Sequence, residues 1–449
     1  MNPKTKQLNI GKDALDLFEK LVSTQQNCFL LETLEDKDQP QSSHSSYVGF
    51  APEKIFTAKK QKLYLNDRLQ EGVGNPYYAL RNHISTDVSL PAGYIGGLVG
   101  YFSHEGISYL EPSLQFQYKR EFPDFQFAEY RDGVIFEPKK SPTYFYHDND
   151  RSGLISELQS TSLEDLQVRQ LRSSQTQERH EKIVDSAKKQ IAEGRVFQVV
   201  LANKYGYEFS GELVQLYRRL REINPSPFMF FMKFNDVITM GASPELLAHT
   251  KPSGKVYLEA LAGTVRLGKD NCESEQLAET LLQDEKEVAE HSMLVDLARN
   301  DVGRISEIGS VKIENLMYIK KLSHVQHIAS IVSGQLAEGK DMFDSLASSF
   351  PAGTLSGAPK IEAIKMITEL EATERGPYGG TIGYFSYNGD SMHAVNIRSV
   401  STVGNKMYLH SGSGIVYDSV ARREYEEIKE KKTAMDKALV SFMTGESNE

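Results

Sequence analysis

The pattern of apolar and polar positions divides the chain into a β-rich first part and a mixed second part. From Leu30 to Glu137, short runs of alternating character are separated by Gly, Pro, Asn and Asp residues, as is typical of antiparallel sheet. A polar segment rich in Ser and Gln follows between Asp148 and Thr176. Helix-like and strand-like stretches then mix. We therefore expect an α+β protein in which large antiparallel β-sheets carry flanking helices.

The second part carries the helical periodicity. Ile183 and Ile191 share one helical face, and Gly194 suits the position just beyond a helix. Further helices are predicted over 274–299, 359–372 and 421–442. Asn388 and Gly389 between two alternating runs predict a β-hairpin. The expected regions are a β-rich N-terminal region over 1–150, a connector over 151–178 and a second folded region over 179–445.

Composition and charge narrow the class of protein. The 449 residues include 39% apolar and 25% charged side chains, which is ordinary for a soluble globular protein. The net charge of −10 argues against a nucleic-acid partner. The N-terminus lacks an apolar signal core, and the uncharged run 92–102 is too short to span a bilayer. Since Cys28 and Cys272 are too few for a disulfide framework, we expect a cytoplasmic protein without a membrane partner.

The segment PAGTLSGAPK, residues 351–360, looks like a phosphate-binding loop. A Walker A loop requires Gly, four residues, and then Gly-Lys-Ser/Thr. Counting from Gly353 puts Ala358 where the second Gly is needed, and Lys360 is followed by Ile361. The loop is therefore expected to serve another anion, or none.

Two predicted helices each carry a Glu-x-x-Glu pair, Glu287 with Glu290 and Glu424 with Glu427. Residues three apart lie on one helix face, so each pair presents both carboxylates together. A solvated charged face is the ordinary explanation for such a pair. The first pair, however, borders an apolar series that begins at Met293, and carboxylates at such a boundary favour a cation. Four Glu oxygen donors would suit Mg²⁺.

Other positions could also carry chemistry. His327 stands in front of an apolar stretch and is either a structural residue or an acid–base group. Arg398 alternates with Ile397 on a strand that otherwise faces the core, so it requires an anionic partner. Gly412 and Gly414 form either an ordinary tight turn or a place where backbone amides approach a carboxylate.

Motifs of this kind follow one another in a fixed order along 180–440: ALAGT, DEKEVAEHSMLVDLARND, HVQHI, PAGTLSGAPK, RGPYGGTIGY, NIRS, SGSGIVYDS and REYEE. Together they resemble the chorismate-utilising enzyme family. The resemblance implies the chorismate-binding fold, with 179–445 as the catalytic domain. It also implies a pocket for chorismate, a cyclic dicarboxylate, rather than for a nucleotide phosphate.

The resemblance implies a role for each candidate side chain. Glu245 would protonate the departing C4 hydroxyl, and His327 would serve the elimination of pyruvate. The implied catalytic residues are Glu245, His327, Thr354 and Gln198. The implied substrate-binding residues are Tyr378, Arg398, Thr354, Gly412 and Gly414. The implied Mg²⁺ ligands and their immediate surroundings are Glu287, Glu290, Glu424 and Glu427.

Two positions indicate which branch of the family the chain resembles. Branches that add water carry a Lys where this chain has Gln198, and the branch with a covalent Lys nucleophile has it where this chain has Ala262. What remains is a lyase in which ammonia attacks C2 of chorismate directly, giving anthranilate and pyruvate. The nearest alternative is a C4-aminating enzyme that lacks the covalent Lys. An alternative of another class is a noncatalytic protein that senses tryptophan or binds a metal.

Two segments resemble the tryptophan feedback site of that branch. They are FLLETLED, with Thr33 in place of the usual Ser, and NPSPFMFF. The resemblance implies inhibition by tryptophan bound in the N-terminal region. The implied inhibitor site contains Leu30, Glu32, Thr33, Pro227 and Met229.

The nitrogen source implies a partner. A glutaminase of the relevant kind needs a Cys in a tight Gly-x-Cys turn. Neither Cys28 nor Cys272 lies in such a turn, so the chain is expected not to hydrolyse glutamine. We expect a separate glutamine amidotransferase subunit that supplies ammonia.

Overall fold

The computed structural model describes residues 2–34, 45–159, 162–173 and 176–444. The strands in chain order are β1 Lys4–Gln7, β2 Asn27–Glu32, β3 Ser46–Phe50, β4 Lys54–Lys59, β5 Lys62–Leu65, β6 Arg68–Leu69, β7 Gly97–Phe102, β8 Phe125–Tyr130, β9 Asp132–Phe136, β10 Thr143–Tyr146, β11 Gln167–Ser173, β12 Gln198–Ser210, β13 Phe228–Phe234, β14 Val237–Ser243, β15 Leu246–Thr250, β16 Lys255–Arg266, β17 Lys312–Lys321, β18 Val325–Gln335, β19 Gly357–Ala358, β20 Thr381–Ser386, β21 Ser391–Val395, β22 Ser399–Val403 and β23 Lys406–Ile415.

The helices in chain order are α1 Ala14–Val22, α2 Pro76–Ala79, α3 Ser152–Ser156, α4 Gln177–Ala192, α5 Val214–Ile223, α6 Asn271–Gln283, α7 Glu285–Gly303, α8 Met342–Ser349, α9 Gly353–Ser356, α10 Lys360–Glu371 and α11 Ala421–Val440. Two short 3₁₀ helices span Leu80–His83 and His104–Tyr109. No helix in the described part of the chain is long and apolar enough to cross a membrane.

The strands form two large sheets. The first has the order β1-β10-β9-β3-β2-β13-β14-β22-β23-β12-β11, with β19 paired to β12. The second has the order β17-β18-β16-β15-β21-β20-β7-β8-β4-β5-β6. Neighbouring strands run antiparallel, for example β12 against β23 and β16 against β18. The expected α+β class with large antiparallel sheets is confirmed.

Both sheets combine strands from the beginning and the end of the chain. In the first sheet β2 pairs with β13, with Glu32 opposite Met229, and in the second β7 pairs with β20. The segment expected to be a connector, 151–178, contains α3 and β11, and β11 pairs with β12. The division into regions 1–150, 151–178 and 179–445 stays a prediction.

The two sheets pack face to face, and helices cover their outer faces. Phe230 of β13 belongs to a buried cluster that includes Val99 and Ile382 of the second sheet. Its neighbour Phe231 points the other way and packs edge-on against Phe18 of α1, with ring centroids 5.2 Å apart. Because β13 is covered on both sides, its sequence FMFFMKF is almost continuously apolar instead of alternating.

The helix predicted over 274–299 is two helices, α6 and α7. They are separated at Asp284, whose backbone is extended (φ −72°, ψ 107°). The Asp284 carboxylate accepts hydrogen bonds from the backbone N–H groups of Lys286 and Glu287, so it caps the start of α7. The other predicted helices match α4, α10 and α11. The hairpin at Asn388 and Gly389 is also present, joining β20 to β21.

Candidate active site

A cavity of about 800 Å³ is lined by strands of both sheets and by helices α7 and α11. All of the catalytic, substrate-binding and metal-binding residues predicted from the sequence line it: Gln198, Glu245, Glu287, Glu290, His327, Thr354, Tyr378, Arg398, Gly412, Gly414, Glu424 and Glu427. Residues spread over more than two hundred positions of the chain therefore meet in one place. Whether each performs its expected role stays a prediction.

Glu245 is a buried carboxyl in the short link between β14 and β15. The Thr354 hydroxyl at the start of α9 donates a hydrogen bond to Glu245 Oε1 at 2.5 Å. Burial raises the pKa of Glu245 to about 7, although the Thr354 hydrogen bond opposes that shift. The group can therefore give and take a proton near neutral pH.

His327 on β18 is buried and held at one ring nitrogen. Its Nδ1 lies 3.0 Å from the Gly263 carbonyl oxygen and 3.0 Å from the Thr264 hydroxyl. Because a carbonyl only accepts, this geometry favours a proton on Nδ1 and leaves the lone pair on Nε2. Burial lowers the pKa of His327 to about 4, so the imidazole is neutral at physiological pH. A neutral ring with a free Nε2 can act as a base.

Arg398 is a partly buried cation between β21 and β22. Its Nη1 donates to the carbonyl oxygen of Lys431, and within the described residues it forms no ion pair with a carboxylate. Burial lowers the pKa of the guanidinium, which reflects the cost of keeping this charge away from water. Beside it, the Tyr378 ring stacks on His410 with centroids 4.9 Å apart. The position suits an anionic ligand, as the sequence predicts.

Gly412 and Gly414 belong to β23, not to a tight turn, and pair with β12. A Cβ at Gly412 would lie 3.1 Å from the Tyr378 hydroxyl oxygen, and a Cβ at Gly414 would lie 2.5 Å from Gln198 Nε2. The glycines therefore let neighbouring side chains reach the cavity wall. The Gly412 carbonyl accepts a hydrogen bond from the Lys431 ammonium at 3.1 Å.

The glutamates on α7 and α11 form an acidic rim. Gln198 Nε2 donates to Glu290 Oε1 at 2.8 Å, and Glu427 forms a 2.6 Å ion pair with Lys431. Glu424 Oε2 is buried without a hydrogen-bond partner. Burial raises the pKa of Glu287 and of Glu424, and neighbouring glutamate charges add to both shifts.

This rim fits a hard divalent cation. Its donors are carboxylate oxygens, one of them buried and unpartnered, and a cation would relieve their mutual repulsion. In the described ranges, no three His, Cys, Asp or Glu side chains come together closely enough to hold a metal by themselves. Mg²⁺ usually keeps several water or substrate oxygens among its ligands.

The structure adds charged residues that sequence reasoning missed. Lys431 lies one turn after Glu427 on α11, and that four-residue spacing was the available signal. Lys320 on β17 is 2% exposed, and its ammonium donates to both carboxylate oxygens of Glu259 at 2.8 Å. Nothing in the pair Lys320-Lys321 distinguishes the buried lysine from the exposed one.

The segment 351–360 does not form a phosphate loop. The Lys360 ammonium donates to Asp301 Oδ2 at 2.8 Å and to the Ser349 carbonyl at 2.9 Å. The segment instead brings Thr354 against Glu245.

A second cleft, of about 460 Å³, lies between the first sheet and α5. Its lining includes Thr33, Leu34, Arg218 and Arg221. Of the residues predicted to bind inhibitor, Thr33 lines the cleft, and Glu32 holds Arg221 through a 3.0 Å ion pair. The others lie buried behind it: Leu30, Pro227 and Met229.

Known proteins match the chain along nearly its whole length. The profile of the family described as chorismate binding enzyme matches residues 26–437. The chain is 38% identical over 434 residues to anthranilate synthase component 1 of Methanothermobacter thermautotrophicus, covering 95% of this chain and 92% of that protein. It is 34% identical over 466 residues to aminodeoxychorismate synthase component 1 of Bacillus subtilis, covering 97% of each.

A solved structure agrees with these relatives. Anthranilate synthase component I from Streptococcus pneumoniae matches with a TM-score of 0.77 and 32% identity, over 90% of this chain and 95% of that one. The family profile spans both sheets and the segments that line the cavity. The chain therefore belongs to the chorismate binding enzyme family.

Proposed function

We propose that the chain is an anthranilate synthase component I, which converts chorismate and ammonia to anthranilate and pyruvate in the first committed step of tryptophan biosynthesis. The set of side chains that line the cavity supports the proposal. A buried acid, a neutral histidine and a partly buried arginine without an ion-pair partner among the described residues meet there beside four glutamates. In this proposal the catalytic role belongs to region 179–445.

In the first half-reaction, ammonia forms a bond to C2, the ring double bonds shift, and the C4 hydroxyl leaves as water with a proton from Glu245. The new ammonium group then loses a proton, which balances the one that Glu245 gave. A carboxyl with a pKa of about 7 is protonated often enough to act as this acid at neutral pH. Arg398 and Tyr378 hold the enolpyruvyl carboxylate. Mg²⁺ held by Glu287, Glu290, Glu424 and Glu427 would orient the ring carboxylate and polarise the conjugated ring.

In the second half-reaction, the aminated ring loses a proton and the enolpyruvyl group leaves as pyruvate. His327 is neutral and keeps a lone pair on Nε2, so it can accept that proton. Its Nδ1 contact with Gly263 fixes the ring plane. The buried surroundings keep the imidazole uncharged until the substrate needs a base.

Amination at C4 is the nearest competing activity, and a relative with that name is 34% identical. The covalent lysine of that branch would stand at Ala262, which lines the cavity together with Gly263 and Thr264. A methyl group there offers no nucleophile. Gln198 likewise offers no base for activating water, because it is neutral and its amide donates to Glu290. These two side chains favour direct attack by ammonia.

We further propose that tryptophan inhibits the enzyme from the second cleft, and that a glutamine amidotransferase subunit supplies the ammonia. Arg221 and Glu32 provide opposite charges beside that cleft, which suits the two charged groups of a free amino acid. The cleft combines Thr33 of region 1–150 with Arg218 and Arg221 of region 179–445.

The deciding experiment is turnover of chorismate by the purified chain with Mg²⁺ and ammonium salt. We expect 2-aminobenzoate and pyruvate in equal amounts, identified by chromatography and mass spectrometry. A reaction that stops at 4-amino-4-deoxychorismate would refute the assignment in favour of C4 amination. Binding of chorismate without turnover would favour the noncatalytic alternative. Omitting Mg²⁺ serves as the control.

A further inference from the structure

A buried ion pair lies next to Glu245, the candidate acid. Lys320 of β17 and Glu259 of β16 are 2% and 8% exposed, and both carboxylate oxygens accept from the ammonium at 2.8 Å. The Tyr318 hydroxyl also donates to Glu259 Oε1, at 3.1 Å. Desolvating two charges is costly and a buried pair seldom stabilises a fold, so its presence here calls for another explanation.

The pair faces both of the residues that act on substrate. Lys320 Nζ lies 3.5 Å from the carbonyl oxygen of Pro244, the residue before Glu245. Glu259 and Glu245 line the same small cavity of about 40 Å³. On the other side, Lys320 is the cross-strand partner of His327 in the register of β17 and β18.

Charged groups reach Glu245 from several elements. Glu259 on β16 raises the pKa of Glu245, whereas Lys320 on β17 and Lys431 on α11 lower it. Asp301 of α7 borders the small cavity but is paired with Lys360. His327 on β18 is neutral because burial lowers its pKa, and the nearby cations Arg398, Lys320 and Lys431, in that order, lower it further. Because water is scarce here, these charges act more strongly than on a surface.

We propose that Lys320 and Glu259 are positioning residues that set the working protonation states of Glu245 and His327, so that both half-reactions run in one pH range. The proposal rests on the proposed function, since it assigns Glu245 as the acid. Glu259 keeps Glu245 able to hold its proton. Lys320 neutralises Glu259, ties the pair to the backbone beside Glu245 and adds a positive charge next to His327, which burial already keeps uncharged.

The test compares Glu259→Gln with Lys320→Met, because the two substitutions remove opposite charges. Activity requires protonated Glu245, so kcat falls as pH rises through the pKa of that group. Glu259→Gln leaves Lys320 unopposed and should move this basic limb to lower pH. Lys320→Met leaves Glu259 unopposed and should move it to higher pH. Each shift should be on the order of one pH unit.

The readout is the ratio of variant to wild-type kcat at each pH, with chorismate and ammonium saturating, which cancels the change in free ammonia. Lys321→Met, at the exposed neighbour, is the matched control and should leave the ratio flat. If Lys320→Met does not fold by circular dichroism, the double variant Glu259→Gln/Lys320→Met replaces it and should bring the limb back toward the wild-type position.

Shifts in the same direction, or flat ratios in folded variants, would overturn the proposal. Absence of anthranilate from the wild-type chain would instead overturn the proposed function.

Discussion

Three side chains of the cavity are partly or wholly removed from water without an ion-pair partner among the described residues, and this shifts their pKa values. Burial raises the pKa of Glu245 to about 7, lowers the pKa of His327 to about 4 and lowers the pKa of Arg398. Each shift disfavours the charged form, and each group therefore favours a ligand or a proton that restores its balance. The same residue types on the surface would have none of these properties.

The pH dependence of the first half-reaction should follow Glu245. Since the protonated acid is the active form, kcat at saturating ammonium should fall as pH rises above about 7, the pKa of Glu245. Glu245→Gln cannot give up a proton, so kcat should drop by about 10²–10⁴-fold and that pH dependence should disappear. A steady-state pH series on both proteins checks this. An unchanged basic limb in Glu245→Gln would assign the acid to another group.

His327 should matter for the second half-reaction alone. In His327→Ala the amination of C2 should continue while loss of pyruvate slows, because the base at Nε2 is gone. An aminated intermediate that retains the enolpyruvyl group should build up and be visible by mass spectrometry in quenched reactions. If amination and pyruvate release decline together, His327 has a different role.

A charged residue within an otherwise apolar stretch could be identified from the sequence as a site candidate. Arg398 next to Ile397 predicted a buried cation, and the structure places it partly buried in the cavity wall. Lys320 and Glu259 were missed because a lysine in a strand beside Lys321 carries no sign of burial. They meet because β17 and β16 lie on either side of β18, and that is a property of the sheet order.

At the scale of elements, α7 and α11, which lie more than a hundred residues apart in the chain, each present a Glu pair to the cavity. Glu290→Gln removes one hard anionic oxygen donor and should raise the Mg²⁺ concentration needed for half-maximal activity by about tenfold or more, while the fold survives. Titrating Mg²⁺ into the chorismate assay measures this. Glu285→Gln, exposed on the same helix and outside the cavity lining, is the matched control. Wild-type activity of Glu290→Gln at low Mg²⁺ would remove Glu290 from the metal site.

Element types were predictable from periodicity, but their ends depended on single side chains. The pattern over 274–299 continues across α6 and α7 because both helices bury one face against the same strands. The helix is interrupted where Asp284 caps α7. An Asp within a charged run does not by itself predict such an interruption. The break matters for the site, since it sets where α7 begins and so the direction of Glu287 and Glu290.

The pairing of β2 with β13 places Glu32 and Thr33 beside the second cleft. Thr33 follows β2 directly and lines the cleft, while Arg221 on α5 forms ion pairs with Glu32 and Asp13. Tryptophan should bind here, and Thr33→Arg should weaken binding at least tenfold because the longer side chain fills the cleft. Isothermal titration calorimetry on both proteins tests this. Lack of tryptophan binding to the wild-type chain at millimolar concentration would remove the site.

At the scale of the whole molecule, one sheet connects the cleft to the cavity. The order β2-β13-β14-β22-β23-β12 runs from the strand before Thr33 to the strands that carry Gly412 and Gln198. If tryptophan inhibits by weakening chorismate binding, linkage requires chorismate to weaken tryptophan binding by the same factor. The sequence alone could not predict this connection, because it depends on strands far apart in the chain.

The last prediction concerns the source of ammonia. Free ammonia is the minor species beside ammonium at neutral pH, so direct attack at C2 benefits from a delivered supply. Neither cysteine of this chain suits glutamine hydrolysis. Cys28 is buried in β2 and burial raises the pKa of its thiol to about 12, while Cys272 lies exposed on α6 outside any tight Gly-x-Cys turn.

We therefore expect the purified chain to form anthranilate with ammonium salts and not with glutamine. Adding the matching amidotransferase subunit should bring glutamine-dependent synthesis to at least the rate seen with ammonium at neutral pH, because ammonia is then released beside its target. Parallel assays with each nitrogen source, with and without the subunit, measure this. The double variant Cys28→Ala/Cys272→Ser is the control for any residual glutamine use. Glutamine-dependent synthesis by the chain alone that is lost in this variant would show that the chain has its own glutaminase site.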